Sequence, residues 1–239
     1  MLPIYAHRGA SGYKMENTLA AFKEAISRNA KGIEIDLQLT ADGQHMVIHD
    51  LDLFRLTGQN KQIRDAAAEE VLQWKVGKRF LRRFFGHRIL TLQQFIEFAR
   101  VYDVALNVEL KETYMGKQEK IREVVELIKP FSDVHFSSFD LSILAIGHAN
   151  YPEYDWCLIA KKSTDWEELK SYPWLKTLHI NKRYYNASWI NELCERYSIR
   201  FYGLTGKEKY LTSPRPCVIG WITDFPDKVE QKQKGLNKV

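Results

Sequence analysis

The feature that most constrains this chain is its rhythm: a short apolar run, then a longer helical pattern, then the next apolar run. Pro3 to Ala6 reads as a first strand. Asn17 or Thr18 can cap the helix that follows, in which Leu19, Phe22 and Ile26 recur at helical spacing. Gly32 to Leu39 is a second strand, with Ile33, Ile35, Leu37 and Leu39 alternating against Glu34, Asp36 and Gln38. Later strands are expected at Val104 to Leu110, Val134 to Ser137, Trp156 to Ile159, Leu175 to Ile180, Arg200 to Leu204 and Cys217 to Ile222. Helical patterns lie between most of them, most clearly over Leu92 to Tyr102, Lys117 to Ile128 and Ala187 to Tyr197. Strands that alternate with helices belong to a parallel sheet. At 239 residues, close to the ~250 of a typical example, the order predicts an α/β chain folded as a single (β/α)8 TIM barrel over residues 1–239.

Two segments depart from the rhythm. Met46 to Ile48 follows the Ala41-Asp42-Gly43 turn and reads as a hairpin arm on the second strand. Residues 51–89 contain no clear βα unit and are expected to form a small insertion between the second and third barrel strands. Composition has its use here. The chain carries 35 basic and 30 acidic residues, a net +5. From Val71 to Ile96 there are six basic residues (Lys75, Lys78, Arg79, Arg82, Arg83 and Arg88) and no acidic one. Removing those six leaves 29 basic against 30 acidic residues, so the excess is local. Trp74, Phe80, Leu81, Phe84 and Phe85 are interleaved with the charges. Such mixing suits peripheral contact with an anionic membrane through residues 74–88. It equally suits steering of an anionic substrate, or a solvated basic face whose aromatics fill the insertion's own core. No nucleic-acid motif accompanies it, so no nucleic acid is expected as a partner.

Cys157, Cys194 and Cys217 are an odd number, far apart and without a CxxC. This argues against a disulfide scaffold or a zinc ribbon and fits a reducing, cytoplasmic setting. The N-terminus does not read as a signal peptide, and no apolar run approaches the ~20 residues of a bilayer span.

In a (β/α)8 barrel the chemistry gathers at the C-terminal ends of the strands. His7-Arg8 ends the first strand, Glu34 and Asp36 lie on the second, His49-Asp50 ends the hairpin arm, and Glu109 and Lys111 lie on the third. Residues two apart on a strand share a face, so Glu34 and Asp36 point together into the barrel, as do Glu109 and Lys111. The same alternation also describes the wet face of an exposed antiparallel strand. Three carboxylates converging at a mouth repel one another, and a hard cation relieves them. Oxygen ligands select Mg²⁺ or Ca²⁺ over zinc. His7 and His49 suit proton transfer near neutral pH. Arg8 and Lys111 suit a phosphate, or simple pairing with the carboxylates. His45, His87, His135, His148 and His179 read as structural histidines. There is no P-loop, GxGxxG, HExxH or GxSxG.

Several short motifs now stand in order. They are His7-Arg8-Gly9, Glu16-Asn17-Thr18, Glu34-Ile35-Asp36, Thr40-Ala41-Asp42-Gly43, His49-Asp50, Leu90-Thr91-Leu92, Val108-Glu109-Leu110-Lys111, Ser137-Ser138-Phe139-Asp140 and Thr223-Asp224-Phe225-Pro226. This ordered set resembles the glycerophosphodiester phosphodiesterases. Met15 and Leu90 stand where that family usually has proline, and Tyr202-Gly203-Leu204-Thr205 replaces a tryptophan-containing stretch. The resemblance implies the TIM barrel with its insertion. It also implies metal-dependent hydrolysis of glycerophosphodiesters to sn-glycerol 3-phosphate and an alcohol, a step of lipid and glycerol metabolism. Carried over by position, Glu34, Asp36 and Glu109 would hold the cation, His7 and His49 would be general acid and base, and Arg8 and Lys111 would bind phosphate. The attacker would be water or the substrate's own glycerol 2-hydroxyl. Two other readings use the same scaffold: a non-catalytic phosphodiester- or lipid-binding barrel, and a phospholipase-D-like enzyme acting on lysophospholipids.

Overall fold

Eight parallel strands close into a barrel in the computed structural model, which describes residues 1–77 and 81–235, leaving out the side chains of Arg82 and Arg83. The strands are β1 Ile4–His7, β2 Gly32–Leu39, β3 Ala105–Leu110, β4 Val134–Ser138, β5 Asp155–Ala160, β6 Thr177–Asn181, β7 Ser198–Leu204 and β8 Val218–Thr223. Each pairs with the next, and β1 closes the ring by pairing with both β8 and β2. Every strand expected from the sequence is present, with ends shifted by a few residues.

Helices pack outside the ring: α1 Leu19–Ser27, α2 Leu92–Ala99, α3 Gln118–Ile128, α4 Leu141–Asn150, α5 Ile190–Arg196 and α6 Pro226–Gln233. α2 is shorter than its sequence pattern, and α5 begins three residues later than expected. The connections after β5 and β7 hold short 3-10 turns, Glu168–Ser171 and Lys209–Leu211. Thr18 is the cap of α1, its Oγ1 accepting from the Ala21 N–H. That leaves the Asn17 side chain free for another task.

The apolar core lies between strands and helices rather than within the ring. Ile33, Ile35 and Leu37 of β2, Leu106, Val108 and Leu110 of β3, and Phe136, Leu158, Leu178 and Phe201 from later strands all belong to it. Their alternate neighbours turn inward. Tyr5 of β1 meets His135 of β4 across the lumen at 4.9 Å between ring centroids, and Ser137 donates to Asn107 at 2.9 Å. The barrel axis is therefore lined by polar groups, as the β2 alternation predicts.

The arm His45–Val47 pairs antiparallel with β2, and Leu90–Thr91 pairs with the arm. The insertion they frame carries its own buried cluster, including Ile48, Leu53, Leu56, Ile63, Val71, Val76 and Ile89. Trp74 packs partly against that cluster. Leu81, Phe84 and Phe85 are 52%, 61% and 76% exposed. Lys78, Arg79 and Phe80 of the basic stretch lie outside the described residues. One cross-link arises that the cysteine spacing does not suggest. Packing α5 beside the start of β8 brings Cys194 and Cys217 to 5.2 Å between Cα atoms, joined as a disulfide, while Cys157 is free and buried. No described helix is long and apolar enough to cross a membrane.

Candidate active site

The structure brings together all seven residues singled out at the strand ends. Glu34, Asp36 and Glu109 are buried, and one oxygen of each lies within 4.8 Å of the others. Parallel pairing of β2 with β3 sets Asp36 level with Glu109. His7, Arg8, Glu34, His49, Glu109 and Lys111 all line one cavity of about 120 Å³ at the barrel mouth. A larger groove of about 1160 Å³ runs from His49, Glu109 and Lys111 out to the insertion, with Phe54 and Phe139 exposed along it.

The backbone is bent to build this centre. Arg8 and Asn17 both adopt left-handed backbone conformations, with φ of 56° and 54°. Non-glycine residues seldom do so, and such strain clusters at functional sites. The bend at Arg8 lets its own N–H donate to Glu34 Oε2 at 2.7 Å and sets its guanidinium Nε 3.1 Å from Asp36 Oδ2. Asn17 Nδ2 donates to the same Asp36 oxygen at 2.8 Å. Gly9, next in the bend, has no alternative: a Cβ there would sit 2.6 Å from the Ala21 backbone.

Lys111 Nζ bridges Asp36 Oδ1, at 3.0 Å, and Glu109, to which it donates a short hydrogen bond. Burial would raise the pKa of Asp36, but Lys111 and Arg8 hold it well below the carboxylate range. Glu34 is the opposite case. Burial, and then the charge of Asp36, push it up to about 8. Glu109 is also raised, by burial before Lys111 partly offsets it. Glu34 Oε1 is buried and accepts no hydrogen bond among the described residues. A buried carboxylate oxygen with no donor, beside two more carboxylates, fits a cation as its missing partner.

Each of the two histidines is clamped by an aspartate. His7 Nδ1 lies 2.7 Å from Asp224 Oδ1, which Ser11 also donates to at 2.9 Å. His49 Nδ1 lies 2.8 Å from Asp50 Oδ1. Arg55 holds Asp50 through both carboxylate oxygens and grips Glu16 as well, and Glu16 in turn accepts from Arg8 at 2.8 Å. Fixing Nδ1 in this way fixes each ring and leaves Nε2 to exchange a proton. Burial alone would lower the pKa of His7, but Glu34 and the Asp224 hydrogen bond outweigh it and raise it.

The sequence assigned no site role to Asp224, Asp50, Glu16 or Arg55, and it offered Asn17 only as a helix cap. His49-Asp50 is adjacent in sequence, so its pairing had a local signal. Asp224 is 217 residues from His7, and only closure of β8 onto β1 brings them together. Arg55 lies in the insertion, where no periodicity pointed to the mouth.

A parallel barrel with three buried carboxylates and two aspartate-clamped histidines around one cavity is built like a metal-assisted ester hydrolase. Residues 7–191 match the glycerophosphoryl diester phosphodiesterase family, and the chain belongs to that family. It is 30% identical over 239 residues to the glycerophosphodiester phosphodiesterase of Bacillus altitudinis, covering 95% of this chain and 96% of that one. It is 36% identical over 149 residues to the YqiK protein of Bacillus subtilis, but spans only 61% of that relative's length. Among solved structures, it is similar to a phosphodiesterase of Oleispira antarctica in complex with the product sn-glycerol-3-phosphate. The TM-score is 0.80 and the identity 26%, over 98% of this chain and 97% of that one.

Proposed function

We propose that the chain hydrolyses glycerophosphodiesters to sn-glycerol 3-phosphate and an alcohol. The observation that carries this reading is the convergence of Glu34, Asp36 and Glu109 with His7 and His49 on one cavity. Family membership and the product bound in the Oleispira relative support the same substrate class. Residues 1–239 act as one TIM-barrel domain with 51–89 as its insertion.

Glu34, Asp36 and Glu109 would hold Mg²⁺ or Ca²⁺, a choice supported by the all-oxygen donor set. When bound, the cation neutralises charge on the phosphate and favours attack on phosphorus. Arg8 and Lys111 sit in the same wall and bind the non-bridging oxygens once substrate competes with their carboxylate partners. One histidine takes the proton of the attacking hydroxyl, and the other returns a proton to the leaving alkoxide. Asp224 and Asp50 keep the two rings in the orientation and tautomer this needs. The groove between the insertion and β3 to β5 leaves room for alcohols of varied size, including the chain of a lysophospholipid.

The assay is release of sn-glycerol 3-phosphate from a panel of glycerophosphodiesters and a lysophospholipid. Turnover of at least one member is expected. Binding without release from any would support a non-catalytic barrel instead. The exposed Leu81, Phe84 and Phe85, set among basic residues, support peripheral contact with anionic membranes through residues 74–88 of a cytoplasmic protein. Co-sedimentation with liposomes checks this contact, and no dependence on anionic lipid would remove it.

A further inference from the structure

Below the acidic site, three consecutive strands turn nitrogen and sulfur ligands into the lumen. β4 supplies His135, β5 Cys157 and β6 His179, and all three are buried. One ring nitrogen of each histidine and the Cys157 sulfur lie within 4.8 Å of one another. Nε2 of both histidines is buried and has no hydrogen-bond partner among the described residues. A buried ring nitrogen left unpaired is costly, and a bound ion would supply the missing partner. Strand alternation explains why each side chain points inward. It does not explain why three good ligands for a soft metal fall on neighbouring strands with their ligand atoms this close together.

We infer that His135, Cys157 and His179 form a second metal site, separate from the carboxylates, that takes a zinc-class ion and ties β4, β5 and β6 together. Two imidazoles and a thiolate are a donor set that Zn²⁺ accepts and Mg²⁺ or Ca²⁺ does not. Burial holds both imidazoles well below the ordinary histidine pKa, so their lone pairs are available at neutral pH. Burial also raises the Cys157 thiol, so the metal takes the place of its proton. The S–H bond breaks, a metal–sulfur bond forms, and the proton leaves to solvent.

The neighbouring Arg200 does not forbid this. Its Nη1 lies 3.5 Å from the Cys157 sulfur, but the same atom is paired with Asp155 at 3.1 Å. The guanidinium thus enters the site as half of an ion pair and donates toward a sulfur that accepts better as thiolate. His179 also forms part of the wall of the mouth cavity, which gives the ion a route in and room for a water as fourth ligand.

The test uses the full chain, freed of metal by chelation, with Co²⁺ as the probe and Cys194→Ser/Cys217→Ser as the background, so that Cys157 is the only thiol. Co²⁺ on oxygen ligands gives no thiolate charge-transfer band in the near ultraviolet, so the band reports this site alone. The band should grow to about one equivalent, disappear when Zn²⁺ is added, survive in Glu109→Gln and vanish in Cys157→Ser. Absence of the band, or its persistence in Cys157→Ser, overturns the assignment. If Cys157→Ser does not fold, the titration and zinc displacement in the background protein decide alone. Hydrolytic activity plays no part in this readout.

Discussion

Asp224→Asn should slow turnover by about 10- to 30-fold while leaving substrate affinity nearly unchanged. Asp224 Oδ1 is 2.7 Å from His7 Nδ1 and also accepts from Ser11 at 2.9 Å. A hydrogen bond to a charged group contributes about 1.5–3 kcal/mol. The Asp224 side chain is 41% exposed, so solvent screening places it at the lower end, roughly 1.5–2 kcal/mol. At 1.36 kcal/mol per decade this gives the stated factor. The amide keeps the shape and loses the charge that favours a protonated ring. The assay is the initial rate of sn-glycerol 3-phosphate release at saturating glycerophosphodiester, in wild type, Asp224→Asn, His7→Ala and the double variant. If the aspartate acts through His7, its substitution costs almost nothing once His7 is gone. A wild-type rate in Asp224→Asn, or a full additional loss in the His7→Ala background, refutes the clamp.

Other outcomes follow from the same geometry. His7→Ala and His49→Ala should each lower turnover at least ~100-fold, the usual scale for losing a general acid or base, and near-normal turnover in either removes its role. Gly147→Ala would place a Cβ 2.2 Å from the Trp156 ring, so urea denaturation should show a loss of about 1–3 kcal/mol; unchanged stability would mean the ring can move aside. His135 is held neutral by burial, with its folded pKa well below 6.5. As pH falls below 6.5 the unfolded chain gains a proton that the folded chain refuses, so this histidine makes stability fall with falling pH. Wild type should therefore lose about 1.4 kcal/mol per pH unit more than His135→Asn below pH 6.5, measured in chelator, and parallel curves would contradict the neutral burial.

Much of the barrel is legible in the sequence because its signal is local. The β2 alternation places Ile33, Ile35 and Leu37 against helices and Glu34 and Asp36 on the axis, and the structure keeps that division. What stayed hidden depends on closure or on backbone shape. Asp224 meets His7 only because the last strand joins the first. Asn17 competes with Thr18 for the helix cap until its left-handed φ turns it toward Asp36. Arg55 reaches the mouth from an insertion whose core has no regular period. His135 and His179, lone histidines on apolar strands, read as structural until β4, β5 and β6 are set side by side. The disulfide likewise needs the packing of α5 beside β8.

The central claim is that the carboxylate cluster holds the cation that makes the cavity a phosphodiesterase. Its most direct test is the rate of sn-glycerol 3-phosphate release by chain stripped of metal, followed as Mg²⁺ or Ca²⁺ is restored. Activity should be lost on stripping, return with either ion, and fail to return in Glu34→Gln or Asp36→Asn. Undiminished release by the stripped protein, or full rescue of those variants by metal, would contradict it.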